Sequence, residues 1–206
     1  MKLPPFMFPG SPMTLDYYLP FESKMYSKVL SLLSDKKRVA IDIGSCEGLW
    51  SLNLSDEFKT VYAFEPMPDV YGASLKWLPE NVNLNNIALS NTEENIEMIF
   101  FENNVGMTMK RGNTFIEDFM KNSPSKTFTS KTRTLDSYEL LDVDFIKIDA
   151  EGEEQNIIYG AKETLDRCSP IIFVDSGEEI KIDGYTQTEK SFLKKTLDSL
   201  PYFGII

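Results

Sequence analysis

From Arg38 to Gly48 the chain reads RVAIDIGSCEG. The apolar run Val39, Ala40, Ile41 and Ile43 predicts a central strand buried on both faces. Gly44 to Gly48 then predicts a tight turn, and Leu49, Trp50, Leu52 and Leu54 an amphipathic helix. Thr60 to Phe64 is a second short apolar segment, closed by Glu65. Strand, glycine turn, helix and strand make a βαβ unit. Upstream, Met25, Val29, Leu30, Leu32 and Leu33 recur at helical spacing within Glu22 to Leu33. Residues 1 to 20 carry Pro4, Pro5, Pro9, Pro12 and Pro20 and predict an irregular arm, a strap over the surface.

Downstream, Pro66 and Pro68 open a helix through Tyr71, Leu75 and Leu78. Val82 to Leu89 predicts a third strand, and Asn95 to Phe101 and Lys126 to Leu135 two more extended segments. The stretch 102–126 between them has no clean period and reads as an insertion or lid. Asp144 to Ile148 is another buried strand, followed by a helix with Ile157, Ile158, Ala161 and Leu165 on one face. Ser169 to Val174 is a further strand, Thr188 to Leu200 a last helix, and Tyr202 to Ile206 a short final strand. Alternating strands and helices predict an α/β fold, Rossmann-like, with a mostly parallel sheet and helices on both faces. A single domain over 21–206 follows from the length.

Composition narrows the chemistry. The chain has 206 residues, 32 acidic against 21 basic, and a net charge of −11. Such a surface repels phosphate backbones, so nucleic acid is not an expected partner. No apolar run approaches the length of a membrane span, and no export signal is expected in the proline-broken N-terminus. Cys46 and Cys168 do not suggest a disulfide framework, so a cytoplasmic location is expected. There is no histidine. Acid–base work falls to Asp, Glu, Lys, Tyr or Cys, and any metal is expected to be a hard, oxygen-liganded ion such as Mg²⁺.

Glu65 follows Gly44 by 21 residues, the spacing at which a carboxylate accepts the hydroxyls of an adenosine ribose. The turn is D-x-G-x-x-x-G, with Cys46 where a dinucleotide motif has its middle glycine. A side chain there opposes a pyrophosphate lying on the backbone, which disfavours NAD or FAD. S-adenosylmethionine carries no phosphate and suits the looser turn. In a parallel sheet, ligands bind beyond the carboxyl ends of the strands. Four strands end there in an acid or in glycine: Asp42-Ile43-Gly44, Glu65, Asp149 and Asp175. Each acid also has a plain reading as a helix cap. Four together repel one another unless a ligand, a metal or a proton intervenes. Asp149 and Glu151 are the pair placed for chemistry, and with Asp175 they are the candidate ligands for Mg²⁺. Lys147 is either a satisfied buried lysine or a further polar group in the site.

These segments resemble the FkbM family of S-adenosylmethionine-dependent methyltransferases, a class I fold. AIDIGSCEG matches the family's DIGxNxG turn, VYAFEPMPDVY its FEP segment and NIALSN its NxALS segment. TLDSY, DFIKIDAEGEE with IIYGAKETL, and SPIIFVDSG follow in order, so the resemblance covers roughly residues 38 to 176. It implies methyl transfer, usually to an oxygen of a sugar or polyketide-like small molecule. It also implies that Asp42, Gly44, Ser45 and Gly48 surround the methionine part of the cofactor. Glu65 would bind the ribose, Ile87 and Ala88 would line the adenine pocket, and Asp149 and Glu151 would face the acceptor. Three positions depart from the pattern: Cys46 replaces the usual Asn, Glu47 a small or apolar residue, and Asp175 a Glu. The departures at Cys46 and Glu47 support an alternative, a non-catalytic binding module that keeps the fold without turnover.

Overall fold

The computed structural model describes residues 1–4, 18–33, 35, 37–102, 104–112, 122–175 and 203–205. Helix α1 spans Tyr18–Leu32, and β1 follows at Val39–Ile43. Next come α2 (Leu49–Glu57), β2 (Thr60–Phe64), α3 (Pro68–Ser74) and β3 (Val82–Asn85). Four strands, β4 (Ala88–Leu89), β5 (Asn95–Phe101), β6 (Asn104–Lys110) and β7 (Ser125–Arg133), precede β8 (Val143–Ile148). The chain continues through α4 (Glu154–Tyr159), α5 (Lys162–Cys168), β9 (Ile171–Asp175) and β10 (Phe203–Ile205).

Six strands form the main sheet in the order β10-β9-β8-β1-β2-β3, parallel except for β10, which runs antiparallel to β9. From β1 the chain winds outward to β3 on one side, then returns to β8 and winds outward on the other. The strand order therefore reverses between β1 and β8, the point at which open α/β sheets bind ligands.

Both faces of this sheet are covered, which explains the near-continuous apolar runs. On one face Ile41, Ile43, Ile146, Ile148 and Ile172 pack under Ile157 and Ile158 of α4, Ala161 between the helices and Leu165 of α5. On the other, Ala40, Val61, Phe145 and Phe173 meet Met25, Tyr26 and Val29 of α1 and Trp50 and Leu54 of α2. The Trp50 ring stacks at 5.2 Å on Phe173 and 6.2 Å on Phe145, with Tyr26 edge-on at 5.3 Å. The α1 stripe works as its helical spacing predicts.

Four segments differ from the sequence pattern. VNLNNIAL is not one strand: β3 ends at Asn85 in the main sheet, while β4 pairs in parallel with β7 in a second sheet ordered β4-β7-β5-β6. Asn85 and Asn86 make the break, their side-chain amides donating to Ala63 O and Glu65 O at 3.3 and 2.8 Å. Within 102–126, β6 pairs antiparallel with β5, and residues 113–121 lie outside the described residues. The helix after β8 is two short helices, interrupted at Gly160, where a Cβ would sit 2.1 Å from Ser90 O. Helix α1 begins at Tyr18, inside the stretch read as an arm; residues 5–17 and the expected helix over 188–200 lie outside the described residues. The peptide of Lys2 is tied to α2, its N–H donating to Asn53 Oδ1 at 2.6 Å and its carbonyl accepting from Asn53 Nδ2 at 2.9 Å. Among the described residues no helix is long and apolar enough to cross a membrane.

Candidate active site

At the carboxyl end of β1 the chain turns sharply, with Gly44 at φ +71°. The amides of Gly44 and Ser45 both donate to Phe64 O at 3.0 Å, folding the turn across the end of β2. A Cβ on Gly44 would stand 1.7 Å from Asp149 O. No other residue fits between the two strand ends. Cys46, the next left-handed residue, has φ +48°, a conformation that Asn tolerates better than most side chains. Desolvation, then the charges of Glu65 and Glu47, push its thiol well above its ordinary value, so it is not a thiolate nucleophile.

Glu65 grips this turn from β2. Its Oε2 accepts from Cys46 N at 2.9 Å and its Oε1 from Met67 N at 2.8 Å. Burial raises its pKa to about 7, against the lowering effect of those two amides. Asn86 ties Glu65 to the segment carrying Ile87 and Ala88. Ile87 packs on the edge of the core, and Ala88 stands opposite Thr132. Gly48, also left-handed, closes the turn by donating to Ser45 O at 2.7 Å.

Asp42 is fully buried, and its Oδ2 accepts from Ser51 Oγ at 2.6 Å. Its Oδ1 and the Ser45 hydroxyl are buried without a hydrogen-bond partner. Buried polar atoms are nearly always hydrogen-bonded, so two without a hydrogen bond within four residues, one ending β1 and one on the turn, are open to a polar ligand. The amino-acid end of S-adenosylmethionine, with its ammonium and carboxylate, has donors and acceptors for both.

Opposite Asp42 in the β1–β8 register stands Lys147. Its ammonium donates to Gly44 O at 3.0 Å and lies 3.1 Å from Asp149 Oδ2 and 3.6 Å from Asp42 Oδ1. Burial alone would lower its pKa; Asp149, Asp42 and Glu22 outweigh that and hold it above its ordinary value. The lysine is thus both of the things the sequence allowed, satisfied and in the site.

Asp149 does not cap the following helix. The amides of Ala150 and Gly152 both donate to Glu154 Oε1 at 3.0 Å. Asp149 keeps 30% of its side-chain surface exposed while paired with Lys147. Glu151 sits at φ +50°, the kind of backbone strain that clusters at functional sites. Burial, then the charges of Asp149, Glu154 and Asp175, push its pKa up to about 8. Asp175, at the end of β9, is likewise raised to about 8 by burial and then by Asp149. The repulsion expected among these acids is relieved by one ammonium and by protons. Among the described residues no three His, Cys, Asp or Glu side chains are grouped to hold a metal ion, and the cation facing Asp149 is Lys147.

Two acids escaped the sequence reading. Glu154 takes the helix-start amides, and Glu22 reaches in from α1, where its Oε2 accepts from Trp50 Nε1 at 2.5 Å. The signal for Glu22 was present: positions 22, 25, 26 and 29 lie on one helical stripe, and the other three are buried core residues.

A parallel sheet reversing between β1 and β8, a glycine turn at β1 and an acid at the end of β2 define a Rossmann-like nucleoside-cofactor fold. The family model for the methyltransferase FkbM domain matches residues 42–202, and the chain belongs to that family. No curated protein matches it in sequence. Among solved structures it is similar to methyltransferase FkbM from Methylobacillus flagellatus KT, at 16% identity over 70% of this chain and 34% of that one, with a TM-score of 0.48. It is also similar to an rRNA methylase from Streptococcus thermophilus, at 14% identity over 89% of this chain and 93% of that one, TM-score 0.44. The precorrin 8w decarboxylase encoded by MT0146 of Methanobacterium thermoautotrophicum shows 17% identity over 87% and 70%, TM-score 0.43. The chain spans about a third of the length of the M. flagellatus protein.

Proposed function

We propose that this protein is an S-adenosylmethionine-dependent methyltransferase acting on a hydroxyl oxygen of a sugar or polyketide-like small molecule. The observation that carries the reading is the pair of buried polar atoms without a hydrogen bond, Asp42 Oδ1 at the end of β1 and Ser45 Oγ on the glycine turn, in a chain of the FkbM family. Asp42, Gly44, Ser45 and Gly48 hold the methionine part of the cofactor. Glu65 accepts the ribose hydroxyls, and Ile87 and Ala88 line the adenine side. When bound, S-adenosylmethionine supplies a methyl group already activated on a sulfonium.

The chain's own task is to align an acceptor oxygen and remove its proton. Asp149 is the base: it is ion-paired to Lys147 and still partly exposed. Glu151, whose carboxyl keeps its proton up to about pH 8, donates a hydrogen bond to the acceptor. The acidic surface keeps nucleic acid away, and the two free cysteines suit a reducing cytoplasm.

The test is transfer of labelled methyl from S-adenosylmethionine to a panel of sugars and hydroxylated polyketides, read by mass spectrometry. Asp149→Asn is expected to abolish transfer while cofactor affinity stays within a few-fold. Binding of S-adenosylhomocysteine with no product from any hydroxyl would instead favour the non-catalytic module, which the strained Cys46 and the buried Glu47 support.

A further inference from the structure

The lysine on β8 stands where an apolar side chain would be less costly. Its neighbours along the strand, Phe145, Ile146 and Ile148, are core residues, and its own side chain is 6% exposed. Burying an ammonium is unfavourable unless it is paired, and here the pairing spans the site. One contact goes to the carbonyl of Gly44 on the cofactor turn, another to Asp149 on the acceptor side. The charges around it come from every packed element. Glu22 reaches in from α1, Asp42 from β1 and Glu65 from the end of β2; Asp149 and Glu151 follow β8, Glu154 lies on α4 and Asp175 ends β9. Among the described residues, Lys147 is the cation shared by Glu22, Asp42, Glu65, Asp149, Glu151 and Asp175.

We propose that Lys147 sets the charge of this pocket and thereby its choice between a sulfonium cofactor and the neutral thioether left after transfer. The inference rests on the proposed cofactor. Reaction removes the positive charge from the cofactor, so the two ligands differ at the methyl-bearing centre by one methyl and one unit of charge. An acidic pocket without an internal cation would hold the sulfonium strongly and discriminate sharply against the thioether. The Lys147 ammonium offsets part of that field and narrows the gap. It is a positioning and specificity residue, joining turn to acid while fixing the local potential.

Calorimetry with S-adenosylmethionine and S-adenosylhomocysteine on the full chain tests this, through the ratio of the two dissociation constants. Lys147→Met removes the cation, and the preference for S-adenosylmethionine is expected to grow by roughly threefold or more, the scale of one unit charge a short distance away. Asp149→Asn removes a negative charge and is expected to move the ratio the opposite way. If Lys147→Met weakens both ligands by the same factor, the lysine is a structural strut and the proposal fails. Should that variant not fold, Asp149→Asn decides alone: an unchanged ratio overturns the proposal. Absence of binding by both ligands to the unmodified protein is a different result, because it removes the cofactor reading itself.

Discussion

The two sheets use polar residues by opposite rules. In the six-stranded sheet helices cover both faces, so the polar side chains that enter it, Asp42 and Lys147, stand opposite each other at its carboxyl edge. Where β5 begins against β7 in the four-stranded sheet, Asn95, Glu97, Thr129 and Lys131 face solvent, while Ile96, Met98 and Ser130 turn inward. A polar group in the first setting needs a partner within the protein or a ligand. In the second it needs only water. At Asp42 and Lys147 a polar position therefore marks chemistry, whereas at Asn95, Glu97, Thr129 and Lys131 it marks an outer face.

The largest effect that sharpens this contrast is expected at the turn. Gly44→Ala places a Cβ on Asp149 O and should cost about 4 kcal/mol or leave no folded protein, read by urea unfolding. Next is Ile146→Ala, in the middle of β8 and 1% exposed, at about 3 kcal/mol for a buried cavity. The matching change in the second sheet, Thr129→Ala on its exposed face, should stay within about 0.5 kcal/mol. Equal losses at the two positions would break the comparison.

A smaller effect follows from the acids. Glu151 and Asp175 ionise near pH 8 in the folded chain but at ordinary values of 4.5 and 3.8 when unfolded. Between those limits the folded state binds more protons, so stability falls as pH rises. Their contribution is full below about pH 4 and lost as pH climbs through 8. Thermal melts from pH 5 to 8.5 should show a declining Tm, and the double variant Glu151→Gln, Asp175→Asn should flatten the slope. A Tm that rises over this range would contradict the burial of these groups.

The contrast also explains what the sequence made readable. Val39 to Ile43, Thr60 to Phe64 and Asp144 to Ile148 are mostly apolar because both faces are buried, and each lies in a strand. Their terminal acids could be placed at one edge from topology alone. The VNLNNIAL segment was misread because period and composition carry no mark of the change of sheet, which the amides of Asn85 and Asn86 bring about. Strand β6 was hidden because NVGMTMK alternates weakly. Asp149 as a cap failed because Glu154, further along the chain, takes the helix-start amides of Ala150 and Gly152. Which oxygen the Lys147 ammonium turns to, two residues before Asp149 on the same strand, depends on the packing around it, which no single sequence states. Glu22 was legible in principle, as the acid on an otherwise buried helical stripe.

The central claim, that the carboxyl edge of the main sheet is a nucleoside-cofactor site gripped by Glu65, is tested most directly by calorimetry with S-adenosylhomocysteine. The unmodified protein should bind in the micromolar range, and Glu65→Ala should weaken binding by about 1–3 kcal/mol, the worth of hydrogen bonds to a charged group. No heat of binding, or equal affinity in the two proteins, would contradict it.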